Sequence, residues 1–187
     1  MNKVQLTTLA GCGLAIAGYP RFTYDALGGG GIGTAGPLDP EGRQSLCFQP
    51  SALLIPDLET RTTRVLGVPL PPGLCIAIVP ELLEGWFCPA SGEVGLRFRA
   101  RFRFSIGRLY RAADLLVETE LSTGSVSSRR HQVAGRPLDP HGDALLVGVA
   151  LVPPSGDGWV DRCLGLPDEA LALLRCRFRN LSPTNPP

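Results

Sequence analysis

The sequence predicts a mainly β protein: an antiparallel sheet or partly closed barrel, built from a duplicated half, with a short C-terminal helix. Three observations predict it. Gly (23) and Pro (18) together exceed a fifth of the 187 residues and punctuate the apolar runs, which favours many short elements over a few long helices. Residues 94–105 alternate with period 2, apolar at every even position and arginine at 97, 99, 101 and 103. The candidate strands lie close together and are joined by Gly/Pro turns, the pattern of antiparallel meanders and not of βαβ units.

Strands are predicted at 19–27, 45–49, 52–55, 74–79 and 82–88, each a short apolar or alternating run bounded by turn residues. The clearest follows. Val94, Leu96, Phe98, Ala100, Phe102 and Phe104 fall on one face, and Arg97, Arg99, Arg101 and Arg103 on the other, because successive strand side chains point to opposite sides. Residues 112–121 alternate again, with Leu115, Val117 and Leu121 against Asp114, Glu118 and Glu120. A hairpin turning near Ile106–Leu109 would set Arg97 opposite Glu118 and Arg101 opposite Asp114, a favourable cross-strand arrangement. A further strand is predicted at 126–134. Residues 144–152 (ALLVGVALV) are apolar on both faces and predict a strand buried on both sides. The helix is expected to begin near Pro167, with Asp168 and Glu169 in its first turn and Leu171, Leu173 and Leu174 on its apolar side. Arg175–Arg179 alternates as a final strand. One domain is expected over 1–180, with a loose tail at 181–187.

Two patterns recur in the same order. Pro37-Leu38-Asp39-Pro40-Glu41-Gly42 returns as Pro137-Leu138-Asp139-Pro140-His141-Gly142, and Arg64–Pro69 (RVLGVP) returns as Arg162–Pro167 (RCLGLP). They suggest an internal repeat spanning about 19–78 and 120–178. On that reading Asp39 and Asp139 are turn formers, not catalytic acids.

Composition excludes some functions. A net charge of +1 gives no electrostatic case for nucleic acid as a partner. Lys3 is the only lysine, a bias that either planar anion recognition or GC-rich coding would produce. The six cysteines form no CxxC pair and no metal-ligand spacing with His131 or His141, and they read mainly as buried free thiols; a pairing of Cys75 with Cys88 across a hairpin is the alternative. Leu9-Ala10-Gly11-Cys12 has the letters of a lipoprotein cleavage box, but the apolar stretch before it is too short and polar for a signal. No run is long enough for a membrane-spanning helix. A cytoplasmic protein is the expectation.

No catalytic residue, metal ligand or cofactor site is nominated. Gly31–Gly36 reads GxGxxG with Asp57 some twenty residues on. Pro37 and Pro40 follow it, however, so no helix N-terminus is available to face a phosphate. Asp157 and Asp161 flank Trp159 and read as helix-capping residues. Trp86, Phe87, Tyr110 and Trp159 are candidates for core or for lining an apolar pocket. The chemical lead is the set Arg97, Arg99, Arg101, Arg103 and Arg108, with His131, which can grip an anionic ligand or an acidic partner; ion pairing with Asp114, Glu118 and Glu120 would neutralise part of it.

The segments FRARFRFSIGRLYRAADLLVETELST (98–123), LVGVALVPPSGD (146–157) and LGLPDEALALL (164–174) resemble an uncharacterised family of cyanobacteria and chloroplasts, over about residues 96–178. The resemblance implies a role in a photosynthetic organism, peripheral at thylakoid membranes, and implies nothing about mechanism.

The sequence therefore supports a non-enzymatic protein holding a lipid or pigment in a barrel-like sheet. The alternatives are docking of an acidic partner on the arginine stripe, or an enzyme in which the arginines converge with an acid or His131 on an anionic substrate. A cavity lined by Phe98, Phe102 and Phe104 would favour the first.

Overall fold

A computed structural model describes residues 2–181; most of the expected tail, 182–187, lies outside the described residues. Along the chain the elements are β1 (Asn2–Thr8), β2 (Cys12–Ile16), β3 (Phe22–Tyr24), β4 (Gly30–Leu38), β5 (Gln44–Leu54), β6 (Thr63–Val65), β7 (Val68–Pro69) and β8 (Leu74–Cys88). There follow β9 (Glu93–Ile106), β10 (Tyr110–Arg111), β11 (Leu115–Ser122), β12 (Ser125–Ser127), β13 (Gln132–Ala134), β14 (Asp143–Val152), α1 (Gly158–Leu164) and β15 (Asp168–Arg179).

All pairings are antiparallel. The main path runs β1-β4-β5-β8-β9-β11-β14-β15, and β1 also pairs with β15, so the sheet turns back on itself and is partly ring-like. β2 continues along β15 above β1 and carries β3, β6 and β7 as an outer arm. Two seams are thin. β5 pairs with β8 only over Gln44–Phe48, and β11 pairs with β14 only at Ser122↔Val147.

The predicted β9 forms as read, with its apolar face inward. Its partner register differs by two: Glu118 faces Arg99 and Glu120 faces Arg97. The chain turns in a three-residue loop at Gly107 (φ +53°), and one extra residue enters between β10 and β11 where Ala112 is buried and donates its N–H to Phe104. Strands 74–79 and 82–88 are one strand, β8, with a bulge between Pro80 and Leu82. The bulge moves the inward set from Ile76 and Ile78 to Leu83 and Phe87, which is why the sequence reads as two segments. Residues 126–134 are not one strand but the hairpin β12–β13.

The largest correction is at the C-terminus. The short helix is α1, capped by the Asp157 carboxylate on the N–H groups of Trp159 and Val160 and ended by Gly165 at φ +72°. Residues 168–179, read as helix then strand, are a single strand, β15, between β14 and β1/β2. Ten registered pairs with β14 outweigh the helical spacing of its leucines. β14 itself buries Ala144, Leu146, Ala150 and Val152 inward, but its outer face is covered only in part: Val147 is buried and Leu151 exposed.

Gly31–Gly36 lies within β4, where Cβ atoms at Gly31 and Gly33 would fall 2.5 Å from Ala52 O and 2.6 Å from Cys47 O; glycine lets β4 and β5 close up there. The two PLDPxG segments make the same turn. Asp39 Oδ1 accepts from Glu41 N (2.9 Å) and Arg43 N (2.8 Å), and Asp139 Oδ1 from His141 N (2.8 Å) and Asp143 N (2.9 Å). The LGxP segments differ: Leu66-Gly67 turns β6 into β7, whereas Leu164-Gly165 ends α1.

The lower end of the ring is packed solid by Leu46, Phe87, Leu96, Leu146 and Phe178, and Leu181, the first residue of the expected tail, is buried among them. Cys12 is also buried in the sheet, so the Leu9–Cys12 box is part of the fold. All six cysteines are free; only Cys12 and Cys176 are buried, Cys47 is exposed, and Cys75 and Cys88 lie at opposite ends of β8, which rules out their pairing across a hairpin.

The β12–β13 hairpin is pinned to the start of β15 by two carboxylates. Asp168 takes Arg129 and Arg130, and Glu169 takes Ser128 Oγ and the N–H groups of Arg129 and Arg130. The Arg130 guanidinium holds Asp168 well below the usual carboxylate range, and the Ser128 hydroxyl and the turn N–H groups lower Glu169. A depressed folded value means that this clasp is fully present above the ordinary carboxylate range, about pH 4, and is lost as pH falls below it. The protection of the Val126 and Val133 amides, corrected for intrinsic exchange, should therefore fall on acidification before that of β14, and Asp168→Asn should reproduce the effect at neutral pH. Equal protection of hairpin and β14 at every pH would refute it.

Candidate functional site: an apolar interior cavity

Above the solid lower end, the inward positions of β14 and β15 carry short side chains: Gly148, Ala150, Ala170 and Ala172 stand where Leu146 and Phe178 fill the space below. The result is a cavity of about 240 Å³. Phe98, Phe102 and Phe104 of β9 form one wall, Ile76 and Ile78 of β8 extend it, and Leu115 and Val117 of β11 adjoin it. Phe98 and Phe102 point inward yet are only half-buried, because they border this space. Val160 and Leu164 of α1 line it at the upper end.

The few polar atoms at the wall are already engaged. Tyr24 Oη donates to Pro56 O, Thr8 Oγ1 to Ala26 O, and Cys12 Sγ to Leu9 O at 3.3 Å. Burial pushes the Tyr24 hydroxyl and the Cys12 thiol up, so both are neutral at physiological pH. The wall offers contact surface and no spare hydrogen-bonding group, which suits a hydrocarbon-like occupant.

The arginines of β9 lie on the opposite, outer face. Arg97 pairs with Glu118, Arg103 with Asp114 at 3.2 Å, and both Arg99 (3.4 Å) and Arg101 with Glu81. Glu81 is the extra residue of the β8 bulge and was not among the sequence candidates; the change of alternation around Pro80 is the signal that marks it. Arg108 sits apart in the β9–β10 turn. His131 is on the separate β12–β13 hairpin, its Nε2 buried without a hydrogen-bond partner. The structure thus gathers the four stripe arginines around carboxylates and brings neither His131 nor Arg108 to them. Of the candidate aromatics, Phe87 is core, Trp86 lies under Arg43 (4.3 Å), and Trp159 and Tyr110 pack with Phe104 at the upper rim; the cavity aromatics are instead Phe22, Tyr24 and the β9 phenylalanines.

Among the described residues no cluster of three or more His, Cys, Asp or Glu is placed to hold a metal, and no helix is long and apolar enough to cross a membrane. Fold and site define a class: an antiparallel, partly ring-like β protein with an apolar interior cavity. No family model, no curated protein and no solved structure matches the chain.

Proposed function

We propose that this protein holds an apolar or amphipathic small molecule, a lipid or a pigment, inside its sheet and performs no chemistry on it. The observation that supports this reading is the cavity lined by the Phe98/Phe102/Phe104 face with its polar atoms internally satisfied. Its size is informative. About 240 Å³ exceeds the roughly 150 Å³ of an apolar cavity that takes up benzene and falls below the roughly 300–1,000 Å³ of drug-sized sites. A slender acyl or isoprenoid chain fits such a space; a macrocyclic pigment would need the thin β11–β14 seam to part.

Docking of an acidic partner on the arginine stripe has less support, because carboxylates of the same chain already occupy those guanidiniums. The test is native mass spectrometry of the purified protein together with titration of a fluorescent long-chain fatty acid and a carotenoid. Saturable binding of one equivalent of the fatty acid is expected, and the carotenoid tests whether a larger isoprenoid is admitted. A protein that carries no co-purified molecule and binds neither probe would end the proposal.

A further inference from the structure

The rim at the upper end of the cavity also carries exposed apolar side chains next to arginines. By strand direction and register, the β6–β7 turn, the β9–β10 turn and α1 all lie at the same end of the sheet: the end where β2, β6, β9 and β14 finish and β8, β11 and β15 begin. Each presents a large apolar side chain to solvent: Leu66 is 80% exposed, Leu109 96% and Trp159 52%. Beside each of them is an exposed arginine, Arg64, Arg108 and Arg162, and none of the three is within ion-pair distance of a carboxylate among the described residues. Most acids at this end are engaged internally: Asp157 by Tyr110 and the α1 N–H groups, Asp161 by Ser155, Asp114 by Arg103, Asp168 by Arg129 and Arg130, Glu169 by Ser128 and Glu59 by Arg61, while Asp57 lies beside the Cys75 thiol.

Turn geometry does not explain Leu66, whereas the Trp159 ring also packs edge-on against Phe104 and Tyr110. Leu66 and Gly67 are the two central residues of a two-residue hairpin, with φ of +51° and +82°. Such a turn prefers Asn-Gly, since asparagine tolerates the left-handed region and leucine does not. Here a strained leucine stands at a tip where it contributes no core packing.

We propose that this rim docks on an anionic lipid bilayer, the leucines and tryptophan entering the interface and the arginines meeting lipid phosphates, so that the cavity's upper end faces the membrane from which its occupant comes. Protruding apolar side chains interleaved with uncompensated cations fit that partner and not a neutral surface. The inference rests on the cavity being a ligand site, but the two can fail separately.

The experiment is sedimentation of the full chain with vesicles of phosphatidylcholine alone and of phosphatidylcholine mixed with phosphatidylglycerol, alongside the fatty-acid titration in vesicle-free buffer. Binding is expected only to the anionic vesicles and should weaken as salt is raised. Each of Arg64→Gln, Arg108→Gln and Arg162→Gln should lower the vesicle partition about fivefold, while Arg97→Gln on the outer wall leaves it unchanged. Leu66→Asn should raise the melting temperature by about 2 °C yet weaken vesicle binding, a combination that a purely structural role for Leu66 would not give. Equal binding to both vesicle types, indifference to the rim variants, or a rim that instead joins two copies of the chain in sedimentation velocity would overturn the docking. Loss of fatty-acid binding with vesicle binding intact would overturn the cavity reading instead.

Discussion

Replacing Gly142 with alanine is expected to lower stability by about 3 kcal/mol or more, while the same change at Gly42, in the matching turn, should cost only about 1–2 kcal/mol. Both glycines have a left-handed backbone, φ +84° and +76°, so both alanines meet the same conformational penalty. They differ in what lies beside them. A Cβ at Gly142 would fall 2.2 Å from Phe178 O, a backbone atom of β15 that cannot swing aside, whereas a Cβ at Gly42 meets nothing within 4 Å. Thermal unfolding of the two variants measures this: a drop of roughly 10 °C for Gly142→Ala against a few degrees for Gly42→Ala. Equal losses would mean that β15 does not press on the second turn.

Ala150→Leu should weaken fatty-acid binding at least tenfold without destabilising the protein. Ala150 faces the cavity from β14 and is itself buried. Each methylene added into free apolar space is worth about 0.8 kcal/mol, so the variant should melt at the same temperature or higher. In a filled core the same insertion would cost about 1–3 kcal/mol through overpacking. Calorimetry with and without the fatty acid separates the cases. A destabilised variant that still binds the probe would show that the space beside Ala150 is not where the occupant sits.

Much of the fold was legible in the sequence where the signal is local. Alternation in β9 predicted both its inward phenylalanines and its outward arginines, and these became the cavity wall and the ion-paired outer face. The capping role of Asp157 was legible in part: the sequence read Asp157 and Asp161 as caps but placed the helix at Pro167, whereas Asp157 caps α1 at Gly158 and Asp161 lies inside it, accepting from Ser155. Glu81 was legible only as a break in the alternation around Pro80; that the bulge aims its carboxylate at two arginines is decided only once β8 and β9 pair. Leucines at helical spacing after Pro167 misled for a related reason: β14 and β2 offered that segment ladders on both edges, and tertiary pairing outweighed local propensity.

The sequence by itself determined what depends on neighbouring residues: the β class, which face of β9 turns inward, and the turn made by each PLDPxG segment. Period-2 alternation and positive φ are properties of a few consecutive positions. Only the tertiary structure decided that Gly142 is pressed by Phe178 while Gly42 is free, that Leu66, Leu109 and Trp159 share one rim, and that a cavity exists. Those depend on strands distant in the chain and on the summed volume of side chains that meet only when the sheet curls back on itself.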